Sequence, residues 1–167
     1  SKTNMTLAVV SMAVFSFLSG LWLLYLTYQV LSWSGVLFFL ILGILCILAA
    51  LFYTLGKRPY GYLALGDLSG FVFFGIVGVL GSAYLISAGA LQIRDVLPAI
   101  SMGCFSTAVL HLNNMRDILS DTMAGKRTVA IYLGYATSKY YLYALVWGGI
   151  IAGFIYVWAL HHTVLLL

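Results

Sequence analysis

An all-α, polytopic transmembrane helix bundle is the fold class this sequence predicts, with about five complete spans and the start of a sixth. Three observations carry that expectation. Of 167 residues, 63% are apolar and only 7% are charged, against about 45–50% and about 25% in soluble domains. Mean hydropathy is +1.09. The apolar residues gather in runs of about 20, the length that crosses hydrocarbon as a helix. A membrane strand would instead alternate polar and apolar over about 10 residues, and no such alternation is present. The composition excludes an ordinary soluble domain, a disordered chain and a disulfide scaffold.

In order, the clear spans fall at 5–30, 34–55, 68–91 and 140–160. A fifth, at 96–112, is at the short end of the range. Residues 164–167 read as the opening of a sixth helix. The first apolar run is too long for a secretory signal, and no small-residue cleavage site follows it. The start at Ser1, with a short polar lead, points to a piece of a longer protein. With five crossings, Lys2, Lys57, Arg58, Arg116, Lys126, Arg127 and Lys139 share one side, and only Arg94 takes the other. The positive-inside rule then places loops at about 56–67 and 113–139 in the cytoplasm. The basic balance is thus a statement about topology, and nucleic acid is not an expected partner. Cys46 and Cys104 fall inside apolar runs, match no metal-binding spacing and read as small buried hydrophobes. Small residues at helical spacing (Ser16 and Gly20; Gly75, Gly78 and Ser82; Gly149 and Gly153) suit close backbone approach in lipid.

The chemistry gathers in 113–128. Asn113, Asp117 and Asp121 are spaced by four, so a helix continuing out of the membrane would carry them on one face. Two of only four acids then stand side by side and repel. A divalent cation would offset that repulsion. Mg2+ is usually held by one or two carboxylates together with waters and phosphate oxygens. Arg116, Lys126 and Arg127 are placed to contact those phosphates, with Gly125 ending the helix and turning the last two cations back. The plainer alternative is an interfacial loop whose charges meet water and lipid headgroups. In the other loop, Tyr53 and Lys57 are four apart, Pro59 stops or bends their helix, and Asp67 stands where it can cap the next one. Here an anchor with an aromatic belt is the competing reading.

The run N-N-x-R-D-x-x-x-D-x-x-x-G-K-R-T from Asn113 to Thr128, followed by Ala130 and Gly134, resembles the second Asp-rich motif of UbiA-type membrane prenyltransferases. Within them it is most similar to the 1,4-dihydroxy-2-naphthoate prenyltransferases of menaquinone synthesis. Tyr53-x-x-x-Lys57 and Gly66-Asp67-Leu68 resemble that family's loop between its fourth and fifth helices. The likeness covers essentially the whole chain, from the family's third helix to the start of its eighth. The family's first Asp-rich motif, N-D-x-x-D, is absent. The resemblance therefore implies one incomplete prenyltransferase domain over 1–167, inactive by itself, with half of the metal–diphosphate site outside this sequence.

It further implies Mg2+-dependent transfer of a polyprenyl group from polyprenyl diphosphate to an aromatic acceptor. That acceptor would be 1,4-dihydroxy-2-naphthoate, giving demethylmenaquinone. Mg2+ would sit on Asp117 and Asp121. Lys57, Asn113, Asn114, Arg116, Lys126 and Arg127 would bind diphosphate, while Asp67 and Tyr53 would position or deprotonate the acceptor. The allylic cation would rest against aromatic faces, and the tail among helices in membrane lipid of the bacterial cytoplasmic membrane. Another aromatic acceptor remains open, as does a homo-oligomer. From a different class, a transporter or channel subunit is disfavoured, because every charge maps to a span end or loop. The D-G-x-x-A-R signature of CDP-alcohol phosphotransferases is absent. His111, one turn before Asn114, reads as a packed, hydrogen-bonded histidine. His161 and His162 read as loop residues, and Gln29 and Gln92 as span-end residues satisfied by water.

Overall fold

The computed structural model describes residues 2–29, 31–56 and 59–164. Among them, besides 3-10 turns at Tyr60–Tyr62 and Ile93–Asp95, there are six longer helices: α1 (Lys2–Thr27), α2 (Trp33–Thr54), α3 (Gly66–Ile86), α4 (Val96–Arg116), α5 (Ile118–Met123) and α6 (Val129–Val164). All but α5 are long and apolar enough to cross a membrane, so the expected all-helical bundle with five spans is what the chain forms. Large apolar side chains such as Phe15, Trp22, Phe74, Trp147 and Phe154 stand exposed. In water that would be a liability; in lipid it is the stable arrangement, because each helix satisfies its own backbone.

The chain divides into two compact units, Ser1–Phe52 and Tyr53–Leu167. The first holds α1 and most of α2, with the turn between them closed by Leu31 N–H donating to Thr27 O (2.9 Å). The second carries every candidate site residue. At its centre is α4, which packs on α3 and α6 and buries Ala99, Cys104, Ala108 and Met115. Small residues make both contacts close. A Cβ at Gly75 of α3 would lie 2.6 Å from the Ala99 carbonyl oxygen and from the Gly103 Cα. On the other side of α4, the Ser101 hydroxyl donates to Gly149 O of α6 at 2.8 Å.

Several expectations need correcting. Helix α2 ends at Thr54, before Pro59, because Gly56 takes a left-handed conformation (φ 107°). Helix α3 opens at Gly66, preceded by Leu65, so Asp67 lies inside the first turn and is not its cap. Between Phe71 and Leu80 this helix widens to i→i+5 hydrogen bonding, a form often found near functional sites. The predicted fifth span extends four residues further, to Arg116. The predicted fourth belongs to a longer helix, α6, which starts at Val129 and turns at Gly134 (φ 71°). Thr128 caps it, its hydroxyl accepting from Ile131 N–H at 3.3 Å. His161, His162 and Val164 continue α6, so they are neither a loop nor a new helix. Residues 165–167 lie outside the described residues, as do Lys57 and Arg58.

Candidate functional site

Two polar layers meet within the second unit, where residues 53–54 and helices α3, α4 and α6 reach the loops. The inner layer is built on Asp67. Its place in the first turn of α3 aims the carboxylate at the last turns of α4. There Thr107, His111 and Asn114 follow at spacings of four and three, on one helix face. His111 Nδ1 lies 3.0 Å from Asp67 Oδ2. With Asp67 ionised its carboxylate only accepts, which assigns the proton of this bond to Nδ1. Asn114 Nδ2 donates to Asp67 Oδ1 at 3.4 Å, and the Thr107 hydroxyl donates to the Asp67 carbonyl at 3.2 Å. From α6, the Tyr141 phenol lies against the same carboxyl, and its ring packs edge-on to the imidazole at 4.6 Å. Asp67, Thr107, His111 and Asn114 are all buried.

The outer layer holds the second motif. The expected continuous helix does not form: α4 ends at Arg116, Asp117 (φ −98°, ψ 13°) leaves the helical conformation, and α5 begins after it. The spacing survives nonetheless. Asp117 N–H donates to Asn113 O (3.0 Å) and Asp121 N–H to Asp117 O (2.8 Å). Arg116 grips Asp117 with two donors, Nε to Oδ1 at 2.8 Å and Nη2 to Oδ2 at 2.9 Å. Those hydrogen bonds hold the Asp117 carboxyl below its ordinary range. Lys126 Nζ reaches Asp121 Oδ2 at 3.1 Å. The Arg116–Asp117 side chains are 71% and 40% exposed, whereas those of Lys126 and Asp121 are 24% and 15% exposed. The second pair is therefore the better shielded from solvent.

The turn that returns Lys126 has a defined cause. Gly125 adopts φ 69°, its N–H donates to Thr122 O (3.1 Å), and Lys126 N–H donates to Asp121 O (2.9 Å). This is a Schellman closure of α5, which favours glycine at the left-handed position. The next residue clasps the two loops together. Ala64 N–H donates to Arg127 O at 2.8 Å, and Arg127 N–H to Tyr62 O at 3.1 Å. Beneath this clasp, Tyr53 stands within electrostatic reach of Asp67 in the inner layer and of Asp121 and Lys126 in the outer one. Gly61 and Gly66 leave room for its ring, since a Cβ on either would come within about 3 Å of it.

The structure thus brings Tyr53, Asp67, Asn114, Asp117, Asp121, Arg116 and Lys126 to one end of the unit, with Arg127 contributing backbone. Asn113 and Asn114 part ways, Asn113 being exposed and Asn114 turned inward to Asp67. Lys57 lies outside the described residues. Sequence reasoning missed Thr107 and Tyr141. The face shared by Thr107, His111 and Asn114 was a usable signal; one tyrosine among 12 was not. Among the described residues, no three His, Cys, Asp or Glu side chains cluster as a metal site. One or two carboxylates are the usual protein share of a Mg2+ site; Asp117 and Asp121 supply oxygen donors of that kind, each paired here with a cation.

Over residues 4–167 the chain matches the UbiA prenyltransferase family. It belongs to that family. It is 43% identical over 141 residues to the 1,4-dihydroxy-2-naphthoate octaprenyltransferase of Haemophilus influenzae, covering 84% of this chain and 45% of that protein. To the protein of the same name in Escherichia coli it is 49% identical over 113 residues, covering 68% and 36%. To the human UbiA prenyltransferase domain-containing protein 1 it is 41% identical over 96 residues, covering 58% and 28%. The chain therefore spans less than half the length of these relatives. No solved structure matches it.

Proposed function

We propose that the protein containing this chain transfers a polyprenyl group from polyprenyl diphosphate to 1,4-dihydroxy-2-naphthoate. In net terms the acceptor exchanges its carboxyl for the prenyl group, and CO2 and diphosphate leave. The product is demethylmenaquinone in its reduced form. The observation that carries this reading is the pairing of a buried carboxylate layer with an outer, partly exposed layer of two acids and two cations, at one end of an apolar unit.

Arg116 and Lys126 neutralise Asp117 and Asp121, and both cations would re-pair with diphosphate oxygens when the substrate arrives. Arg116 suits this as a bidentate fork and Lys126 as a point charge. Asp117 and Asp121 are the residues that would hold Mg2+. Charge neutralisation of the departing diphosphate is the chemistry the ion would supply there. Asp67 and Tyr53 border the inner layer, where the acceptor ring would be positioned. The apolar helices exclude water, which protects the allylic cation from hydrolysis. The seven-to-one division of cations supports a cytoplasmic site.

The test uses the full-length protein in lipid nanodiscs, given a polyprenyl diphosphate and 1,4-dihydroxy-2-naphthoate. Prenylated, decarboxylated product should form with Mg2+, stop on chelation and resume when Mg2+ is restored. Product formation that persists after chelation would contradict the metal assignment. Absence of product with Mg2+ present would contradict the reaction.

A further inference from the structure

Outside the acid–cation layer, the least explained atom of the molecule is His111 Nε2. The His111 side chain is fully buried, and Nε2 is the buried side-chain nitrogen that lacks a hydrogen-bond partner among the described residues. A buried polar atom left unpaired is costly and calls for a reason. The other ring nitrogen is fully engaged. Nδ1–H is held by Asp67 Oδ2 at 3.0 Å, and that carboxylate is itself fixed by Asn114. The tautomer follows: with the proton on Nδ1, Nε2 presents a lone pair. A carboxylate behind the imidazole also stabilises the imidazolium that forms when Nε2 gains a proton. This is the construction of a base, and among the described residues no other imidazole is paired with Asp67.

We propose that His111 is the catalytic base of the transfer. On this account its Nε2 takes the proton of a ring hydroxyl of the aromatic acceptor as the new carbon–carbon bond forms. The O–H bond breaks, its electrons enrich the ring, and the proton rests on the imidazolium facing Asp67 until loss of CO2 restores the aromatic ring, when it returns to the aryloxide oxygen. The inference rests on the reaction proposed above and assigns its proton acceptor. Nε2 is sealed in this structure, so a side chain must turn before the hydroxyl reaches it. Tyr141, half-buried, packs edge-on to the imidazole at 4.6 Å. The titratable groups facing His111 are Asp67 from α3 and Tyr141 from α6; Cys104 of α4 reaches Tyr141 in turn.

The experiment compares the full-length wild type with His111→Asn. Asparagine can still donate to Asp67 from near the Nδ1 position but has no lone-pair nitrogen at Nε2. The variant should keep its KM for polyprenyl diphosphate, lose kcat by about 10²-fold, and lose the acidic limb of the wild-type pH profile. Both monomethyl ethers of the acceptor are then tried. Blocking the hydroxyl that meets Nε2 should slow the wild type and slow His111→Asn no further. Wild-type kcat and pH profile in the variant would overturn the proposal. So would additive losses from ether and variant, which would mean that Nε2 only holds a structural water. If His111→Asn fails to fold, the ether series on the wild type alone decides: equal rates with both ethers and the parent acceptor overturn it. A wild type that transfers nothing refutes the reaction itself, a separate outcome.

Discussion

Asp67 organises more of this site than any other residue. It accepts from His111 and Asn114 with its carboxylate and from Thr107 with its carbonyl, and it does so in a buried position. Removing the carboxylate strands partners that cannot reach water. Asp67→Ala in the full-length protein should lower stability by about 1–3 kcal/mol, the usual effect of leaving buried donors unsatisfied. Asp67→Asn keeps an oxygen for the Nδ1–H of His111 and should fall between the two. Thermal unfolding in one detergent measures both; an alanine variant as stable as the wild type would contradict the network. None of these pairings was visible along the chain, because Asp67 and His111 are separated by 44 positions. The acids at 117 and 121 were legible for the opposite reason. Their relation is local, carried by i→i−4 backbone bonds that persist even though the helix breaks at Asp117.

At the scale of elements, the site depends on how closely α3 approaches α4. Gly75 sets that distance, since its missing Cβ would meet backbone atoms of Ala99 and Gly103 that have no freedom to move aside. Gly75→Ala should therefore push the helices apart, at about 1–3 kcal/mol for overpacking, and draw Asp67 away from His111. Unchanged thermal stability of that variant would show that α3 can slide without loss. The small-residue spacing that marked Gly75 in the sequence also marked Gly20, where a Cβ would meet nothing within 4 Å in the described structure. Spacing reveals that a helix can approach a neighbour; only the partner's backbone shows that it does. The spans at α4 and α6 were read too short, to 112 and from 140 against Arg116 and Val129, because polar end residues and the Thr128 cap continue the helices, while hydropathy reports only the apolar middle.

For the whole molecule, the apolar runs were enough to recover the class of fold, since lipid leaves a chain few alternatives. The clasp between the two polar loops was not recoverable, because Ala64 and Arg127 pair through backbone alone and carry no side-chain pattern. That clasp is what turns two stretches of charge into one site at one end of the bundle. The central claim is that the acids at its rim hold Mg2+ for a diphosphate. The most direct measurement is binding of a polyprenyl diphosphate to the full-length protein, with and without Mg2+, for the wild type, Asp117→Asn and Asp121→Asn. Mg2+ should strengthen wild-type binding, and either substitution should remove about tenfold or more of that gain. Equal Mg2+-dependent binding in all three proteins would contradict the account.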